Sequence, residues 1–251
     1  MSEILRLEHV DKHFGGLHVT NDVSFKVETG HVTGLIGPNG AGKSTLMNII
    51  SGIYIQDSGS LYFDGTEVTK VPPFARARMG IGRTFQTPRF LKRSNIRDNL
   101  LLGCDLAEQK SFLKSFFSHQ KMDFEEELER YMKVAGFTLD LDSDITSLTY
   151  GQQKLLEIVR SLLAHPRLIL VDEPAAGLND KEKEDAMALI NIAAEQGMGV
   201  LLIEHSMDMI MNMCADIVVI NFGQIIATGC PEAVSSNEEV IEAYLGKDID
   251  G

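Results

Sequence analysis

Val32-Thr33-Gly34-Leu35-Ile36-Gly37-Pro38-Asn39-Gly40-Ala41-Gly42-Lys43-Ser44 runs from a short apolar strand pattern into a glycine-rich turn and ends on a lysine and a serine. Its second half has the spacing G-x-x-x-x-G-K-[ST], and an apolar helical pattern opens at Lys43. Strand, glycine turn and helix in that order make a phosphate cradle. The glycines let backbone N–H groups turn inward, and the helix N-terminus adds partial positive charge. In such a loop Lys43 reaches the β- and γ-phosphates, and the hydroxyl of Ser44 can ligate Mg²⁺. A turn that merely joined a strand to a helix would have no use for Lys and Ser at these offsets. Gly37, Pro38, Asn39, Gly40, Ala41, Gly42, Lys43, Ser44 and Thr45 are therefore the candidate phosphate-binding set.

A second apolar strand, at residues 168–171, ends in the adjacent carboxylates Asp172 and Glu173. Beside a phosphate loop their roles divide. Asp172 is placed to organise Mg²⁺, and Glu173 to orient or deprotonate an attacking water.

Working outward, residues 4–10, 19–27 and 60–64 read as further strands, and prolines introduce a short helix at 72–78. From about 94 to 164 the pattern changes to Leu, Phe and Met at helical spacing, with acidic residues such as Glu125 and Glu129 on the opposite face. Short β-branched runs return at 168–171, 200–203 and 217–220, separated by helical stretches. That is the pattern of a parallel sheet covered on both faces.

With 251 residues and 44% apolar composition the chain can bury a large core. Cys104, Cys214 and Cys230 are odd in number and widely spaced, which points away from a disulfide framework or a zinc site. A net charge of -13 opposes a nucleic-acid partner, because binding phosphates takes Lys and Arg. No apolar run reaches the roughly 18 to 20 residues that cross a bilayer, and residues 1–10 lack a signal pattern.

Leu148-Thr149-Tyr150-Gly151-Gln152-Gln153 then stands shortly before the Asp172 strand. With the phosphate loop and the carboxylate pair, it makes the whole chain resemble the ABC transporter ATPase family, whose signature LSGGQ holds this place. As a helix start carrying a hydroxyl and a glycine, it can present N–H groups and a helix dipole to a phosphate. Thr149 with Gln152 three residues on can equally serve as a plain helix cap. The resemblance implies that Thr149, Gly151 and Gln152 face ATP held by a second ABC ATPase subunit, so a bulky acid at Gly151 is expected to damage the partner's site. It further implies that Phe14 stacks on adenine, that Gln86 touches Mg²⁺ or water, and that His205 hydrogen-bonds the γ-phosphate. Tyr150 departs from the family's glycine, and Asn179 stands where many members have an aspartate. The wording around these departures, with Leu156-Glu157-Ile158 and the closing Glu242-Ala243-Tyr244-Leu245-Gly246, is similar to the ATP-binding subunits of branched-chain amino-acid importers. The longer helical insert, around 110–132, is like that of the larger of their two ATPases.

The expected fold is α/β: a P-loop NTPase core with a parallel sheet, an N-terminal antiparallel β subdomain, and a helical subdomain inserted at about 87–164, all in one ABC ATPase domain over 1–251. The resemblance implies ATP and Mg²⁺ as cofactors, catalytic roles for Glu173, His205 and Gln86, and metal ligation by Ser44, Gln86 and Asp172. It implies transmembrane permease subunits as partners, a solute-binding protein acting indirectly, no nucleic acid, and a peripheral place on the cytoplasmic face of the membrane. The surface from Gln86 to about Leu102, with its exposed pair Phe90-Leu91, is the expected docking face. A non-transport ABC ATPase of DNA repair or translation would share the phosphate-site motifs. Acidity, a single cassette and the lack of a coiled-coil or zinc insertion count against it. Met207, Met209, Met211 and Met213 fall on different helix faces and read as packing residues rather than a soft-metal box. The run from Lys181 to Asp185 reads as the solvated first turns of a helix.

Overall fold

The computed structural model describes residues 2–105 and 120–245. Much of the insert signal at 110–132, and Gly246, therefore lie outside the described residues. The chain opens on a long antiparallel hairpin, β1 (Glu3–Phe14) and β2 (Leu17–Glu28), closed by Gly15 at φ 60°. Every second side chain along it points inward: Leu5, Leu7, Val23, Phe25 and Val27 are buried. β3 (Val32–Ile36) and α1 (Lys43–Ile50) follow, then β4 (Ser58–Phe63), which pairs antiparallel with β1, and the short β5 (Thr66–Glu67). These give a four-stranded antiparallel sheet in the order β2-β1-β4-β5.

α2 (Pro73–Met79) enters through Pro73 and stops at Gly80, which takes φ 106°. Its buried Arg76 does a job no local pattern announces. The guanidinium donates to Ile49 O at 2.6 Å and Ile50 O at 2.8 Å, carbonyls of the last turn of α1. Burial pulls its pKa down to about 10. The helix that carries Lys43 is thus closed at its far end by a cation from the next helix.

β6 (Ile81–Arg83) begins the second sheet. Between it and β7 (Leu168–Asp172) stand α3 (Ile96–Asp105), α4 (Gln120–Ala135), a 3-10 turn at Ile145–Ser147, and α5 (Tyr150–Leu163). α6 (Asp180–Glu195), β8 (Gly199–Ile203), α7 (Met207–Met213), β9 (Asp216–Asn221) and β10 (Gln224–Gly229) complete the sheet, and α8 (Pro231–Ser235) and α9 (Glu238–Leu245) follow. The order is β10-β9-β3-β8-β7-β6. The parallel sheet is as expected except at one edge, where β10 runs antiparallel to β9. Phe222 and Gly223, at φ 46° and 80°, form a two-residue turn whose positive dihedrals match strand twist, so the chain returns at once without a crossover helix.

The central strands are buried on both faces. Leu168, Leu170, Leu201, Ile203, Val218 and Ile220 pack with the β1–β2 hairpin and α1, while Ile169, Val171, Val200, Leu202, Ile217 and Val219 pack with the helices on the other side. Met209 and Met213 join that second core, as packing residues should. Among the described residues no helix is long and apolar enough to cross a membrane.

Candidate active site

β3 delivers the chain to the loop at the C-terminal edge of the sheet. Gly37 there has φ 153°, and a Cβ on it would lie 1.9 Å from Ile220 O of β9. Gly42 has φ 108°, with a Cβ 2.6 Å from Val19 O. Only glycine lets the loop turn this closely between β9 and β2. Lys43 is buried, and its ammonium donates to Gly37 O at 2.6 Å and Pro38 O at 3.0 Å, so the cation lies across its own loop. The loop borders a cleft of ≈ 230 Å³, lined by residues 39–45 together with Val19, Glu173 and His205.

Glu173 follows β7 in the left-handed region at φ 47°. Its N–H donates to Ile203 O at 2.9 Å, which fixes it to β8. Its carboxylate accepts from Gln86 Nε2 at 2.6 Å and pairs with His205 Nε2 at 3.0 Å. Three residues far apart in sequence therefore meet on one carboxylate at the mouth of the phosphate loop. Asp172, one residue earlier, is nearly buried. Burial raises its pKa, Arg83 with Nη2 3.5 Å away opposes that, and the charge of Glu173 adds to the rise. A buried carboxylate under such pressure, with the Ser44 hydroxyl on the first turn of α1, is an oxygen donor set that suits Mg²⁺.

The signature residues do not join this cleft. Thr149 caps α5: its hydroxyl accepts from Gln152 N–H at 3.2 Å, and Gln152 Oε1 accepts from Thr149 N–H at 3.0 Å. Thr149 and Gln152 thus realise the capping reading in this chain. Gly151 faces the first turn of α6, where a Cβ would come 2.1 Å from Glu182 Oε1. A side chain at Gly151 would first have to displace the end of the Glu182 side chain in its own chain. Glu182 is held there by a second capping box, with Asn179 Oδ1 accepting from Glu182 N–H at 3.0 Å. Asn179, which looks like a departure in sequence, is a helix cap. Phe14, half exposed at the hairpin tip, meets Tyr54 edge-on at 5.3 Å and does not line the cleft.

Several contributors give no motif of their own. Glu204 is buried and accepts from Ala175 N–H at 2.9 Å and from His205 N–H at 2.6 Å, bracing the segments that carry Glu173 and His205. Arg83 and Lys154 also sit against the carboxylates. The one sequence hint is position, since each is a charged residue inside or beside an otherwise apolar element.

Glu157, on α5, is buried, and desolvation pushes its carboxyl up to about 7 against the opposing pull of Arg160 and the N–H groups of Arg89 and Phe85. The folded protein thus keeps a proton that an unfolded chain releases near the ordinary value of 4.5. Stability should fall as pH rises between those two values and level off above the higher, by about 3 kcal/mol. Urea unfolding midpoints of wild type and Glu157→Gln from pH 5 to 8 check this: the variant should lose the slope, and parallel curves would assign it to other groups.

A family model described as ABC transporter matches residues 20–176. The high-affinity branched-chain amino acid transport ATP-binding protein BraF of Pseudomonas aeruginosa is 39% identical over 250 residues, 97% of this chain and 98% of the relative. The chain belongs to the ABC transporter ATP-binding family. A second model, described as branched-chain amino acid ATP-binding cassette transporter, matches residues 224–250. The lipopolysaccharide export system ATP-binding protein LptB of Haemophilus influenzae is 32% identical, over 97% of this chain and 98% of the relative. Among solved structures, the ADP conformation of an ATP-binding cassette of an ABC transporter superposes with a TM-score of 0.83 at 35% identity, over 98% of this chain and 100% of the other. The phosphate loop, the carboxylate pair and the signature helix all fall inside the matched span of the ABC model.

Proposed function

We propose that this chain hydrolyses MgATP as an energy-coupling subunit of an importer for branched-chain amino acids. It sits on the cytoplasmic face of the membrane against separate permease subunits, which a solute-binding protein supplies. The observation that carries the hydrolytic part is the Glu173 carboxylate, held by Gln86 and His205 at a cleft that Lys43 shares. In this reading residues 37–45 cradle the phosphates and Lys43 swings from its own carbonyls to the β- and γ-phosphates. Glu173 accepts the proton of the attacking water, and His205 reports the γ-phosphate through its ring nitrogen. Ser44, Asp172 and Gln86 would hold Mg²⁺, which when bound offsets charge on the phosphate oxygens. Phe14 offers its exposed ring to adenine, and the Lys12 ammonium lies 5.4 Å from that ring's centre.

Thr149, Gly151 and Gln152 serve the ATP of a second ABC ATPase subunit, a copy or a close relative of this chain. Their separation from the chain's own cleft supports this division. The substrate class rests on likeness to transport proteins so described, and the chain's own cleft offers nothing an amino acid would need. Reconstitution with the permease subunits in liposomes tests it: ATP-driven uptake of leucine, isoleucine or valine is expected, and ATP turnover that ignores these but responds to another solute would overturn the assignment.

The surface for the permease also takes a sharper form. Phe90 is half-buried beneath Arg160, whose guanidinium lies 4.6 Å from the ring, so it is not the exposed anchor its sequence suggests. Leu91, at 54% exposure, faces outward with Leu101 and Leu102, and Asn99 ties the Leu91 backbone to α3 at 2.7 Å. Leu91→Asp should abolish uptake while the isolated subunit keeps its basal phosphate release within about twofold, a surface change of small folding cost. Phe90→Asp should instead lower the melting temperature. Parallel uptake and phosphate-release assays decide between docking and a core role for Leu91.

A further inference from the structure

Tyr150 and Lys154 stand one helical turn apart at the start of α5, on the side that faces the segment after β7. Lys154 is only 3% exposed. Its ammonium donates to the backbone carbonyl of Glu173 at 2.5 Å. Burial depresses its pKa, and the carboxylates of Glu157, Glu204, Glu173 and Asp172 around it pull the other way. A buried cation set among four acids is costly to keep, and here its ammonium donates to the main chain of the residue with the reactive carboxylate. Glu173 itself sits at φ 47°, a conformation that a non-glycine residue keeps only when its surroundings impose it. Four residues do so: Ile203 O accepts from its N–H, Gln86 and His205 hold its carboxylate, and Lys154 donates to its carbonyl.

Tyr150 makes the second contact. Its ring lies against Gly177, at φ 78°, so closely that a Cβ there would come 3.0 Å from the ring. Its hydroxyl points at Gln86 O, 3.5 Å away. The first turn of α5, whose cap is Thr149, therefore grips both ends of the stretch from Glu173 to Gly177.

We infer that Lys154 is a positioning residue for hydrolysis: it clamps the main chain of Glu173 to the signature helix, with Tyr150 as the outer contact, so that the carboxylate and the signature turn move as one body. The inference rests on the proposed role of Glu173 as proton acceptor. In the ATPase pair it means that a phosphate gripped by Thr149 and Gly151 for one site is felt at the Glu173 of the other. Freed from the clamp, Glu173 can relax toward ordinary backbone angles and its carboxylate loses aim, while the phosphate loop is untouched.

The test uses the full-length chain with MgATP, measuring steady-state phosphate release and fluorescent-ATP binding. Lys154→Met, which keeps the stem but has no donor, should lower kcat by about 10- to 100-fold, the scale of a misplaced catalytic group, with KM for ATP within about twofold. Lys154→Arg keeps a donor in reach and should recover most of the turnover. In a Glu173→Gln background the same Lys154→Met change should add little, because it acts only through the missing carboxylate. Should Lys154→Met fail to fold, Lys154→Gln retains a polar head too short for the carbonyl, and the same kcat loss is expected of it. Wild-type kcat in either variant, a loss confined to KM, or a full additional penalty on top of Glu173→Gln would overturn the clamp. Wild-type turnover in Glu173→Gln alone would instead remove the underlying role of Glu173, so the two failures are told apart.

Discussion

Glu173→Gln should lower steady-state phosphate release by about 10²- to 10⁴-fold while leaving MgATP binding almost unchanged. The carboxylate stands just after β7 at the cleft and is aimed by Gln86 at 2.6 Å and His205 at 3.0 Å. A glutamine keeps the volume and one oxygen able to accept from either neighbour, so the loss isolates the proton-accepting function. In free energy it is about 2.7 to 5.5 kcal/mol of transition-state stabilisation. With hydrolysis slowed, ATP bridging Lys43 of one subunit to Thr149 and Gly151 of the other should trap the closed pair. Size-exclusion chromatography with the partner ATPase, with and without MgATP, reads the trap beside the phosphate assay. A variant that turns over at the wild-type rate removes Glu173 as the base. One that stops without added dimer leaves the site standing but removes the shared sandwich.

The second large effect is expected at Lys43. Its ammonium is already within the loop, donating to Gly37 O and Pro38 O, and has only to exchange those carbonyls for phosphate oxygens. Lys43→Ala removes charge-assisted hydrogen bonds that contribute roughly 1.5 to 3 kcal/mol each, so the Kd for MgATP should rise by about 100-fold or more. The fold should tolerate the change. Alanine favours the helix that begins there. Fluorescent-nucleotide titration, paired with thermal unfolding, checks both halves: a folded variant with wild-type affinity would sink the phosphate-loop assignment.

What the sequence makes legible is what its chemistry encodes within a few residues. The phosphate loop and the Asp172-Glu173 strand end could each be read from spacing, the run at residues 148–153 from its resemblance to a family signature, and the strands of the central sheet from their β-branched runs. β6 and β10 were harder. β6 is only three residues long, with Gly82 at its centre, and β10 follows a two-residue turn instead of the helix that parallel strands require. The long-range polar contacts left no local trace at all. Arg76 meets Ile49 across 27 positions, Lys154 meets Glu173 across 19, and Gln86 meets Glu173 across 87. Thr149 and Asn179 carry a different lesson, since one residue can cap a helix and stand at a phosphate-facing position, and only geometry says which of the two it does in a single chain.

The alternation along the central strands bears on how the molecule comes apart. Each of β7, β8 and β9 sends odd and even side chains into different apolar cores, so neither core owns its strands. Stripping the helical layer would leave Ile169, Val200 and Ile217 wet on strands whose opposite faces are still packed, and stripping the hairpin layer would do the same to Leu170, Leu201 and Val218. Two cores that share the central strands cannot melt one at a time, and the chain is built to lose its order in a single cooperative transition despite its layered construction.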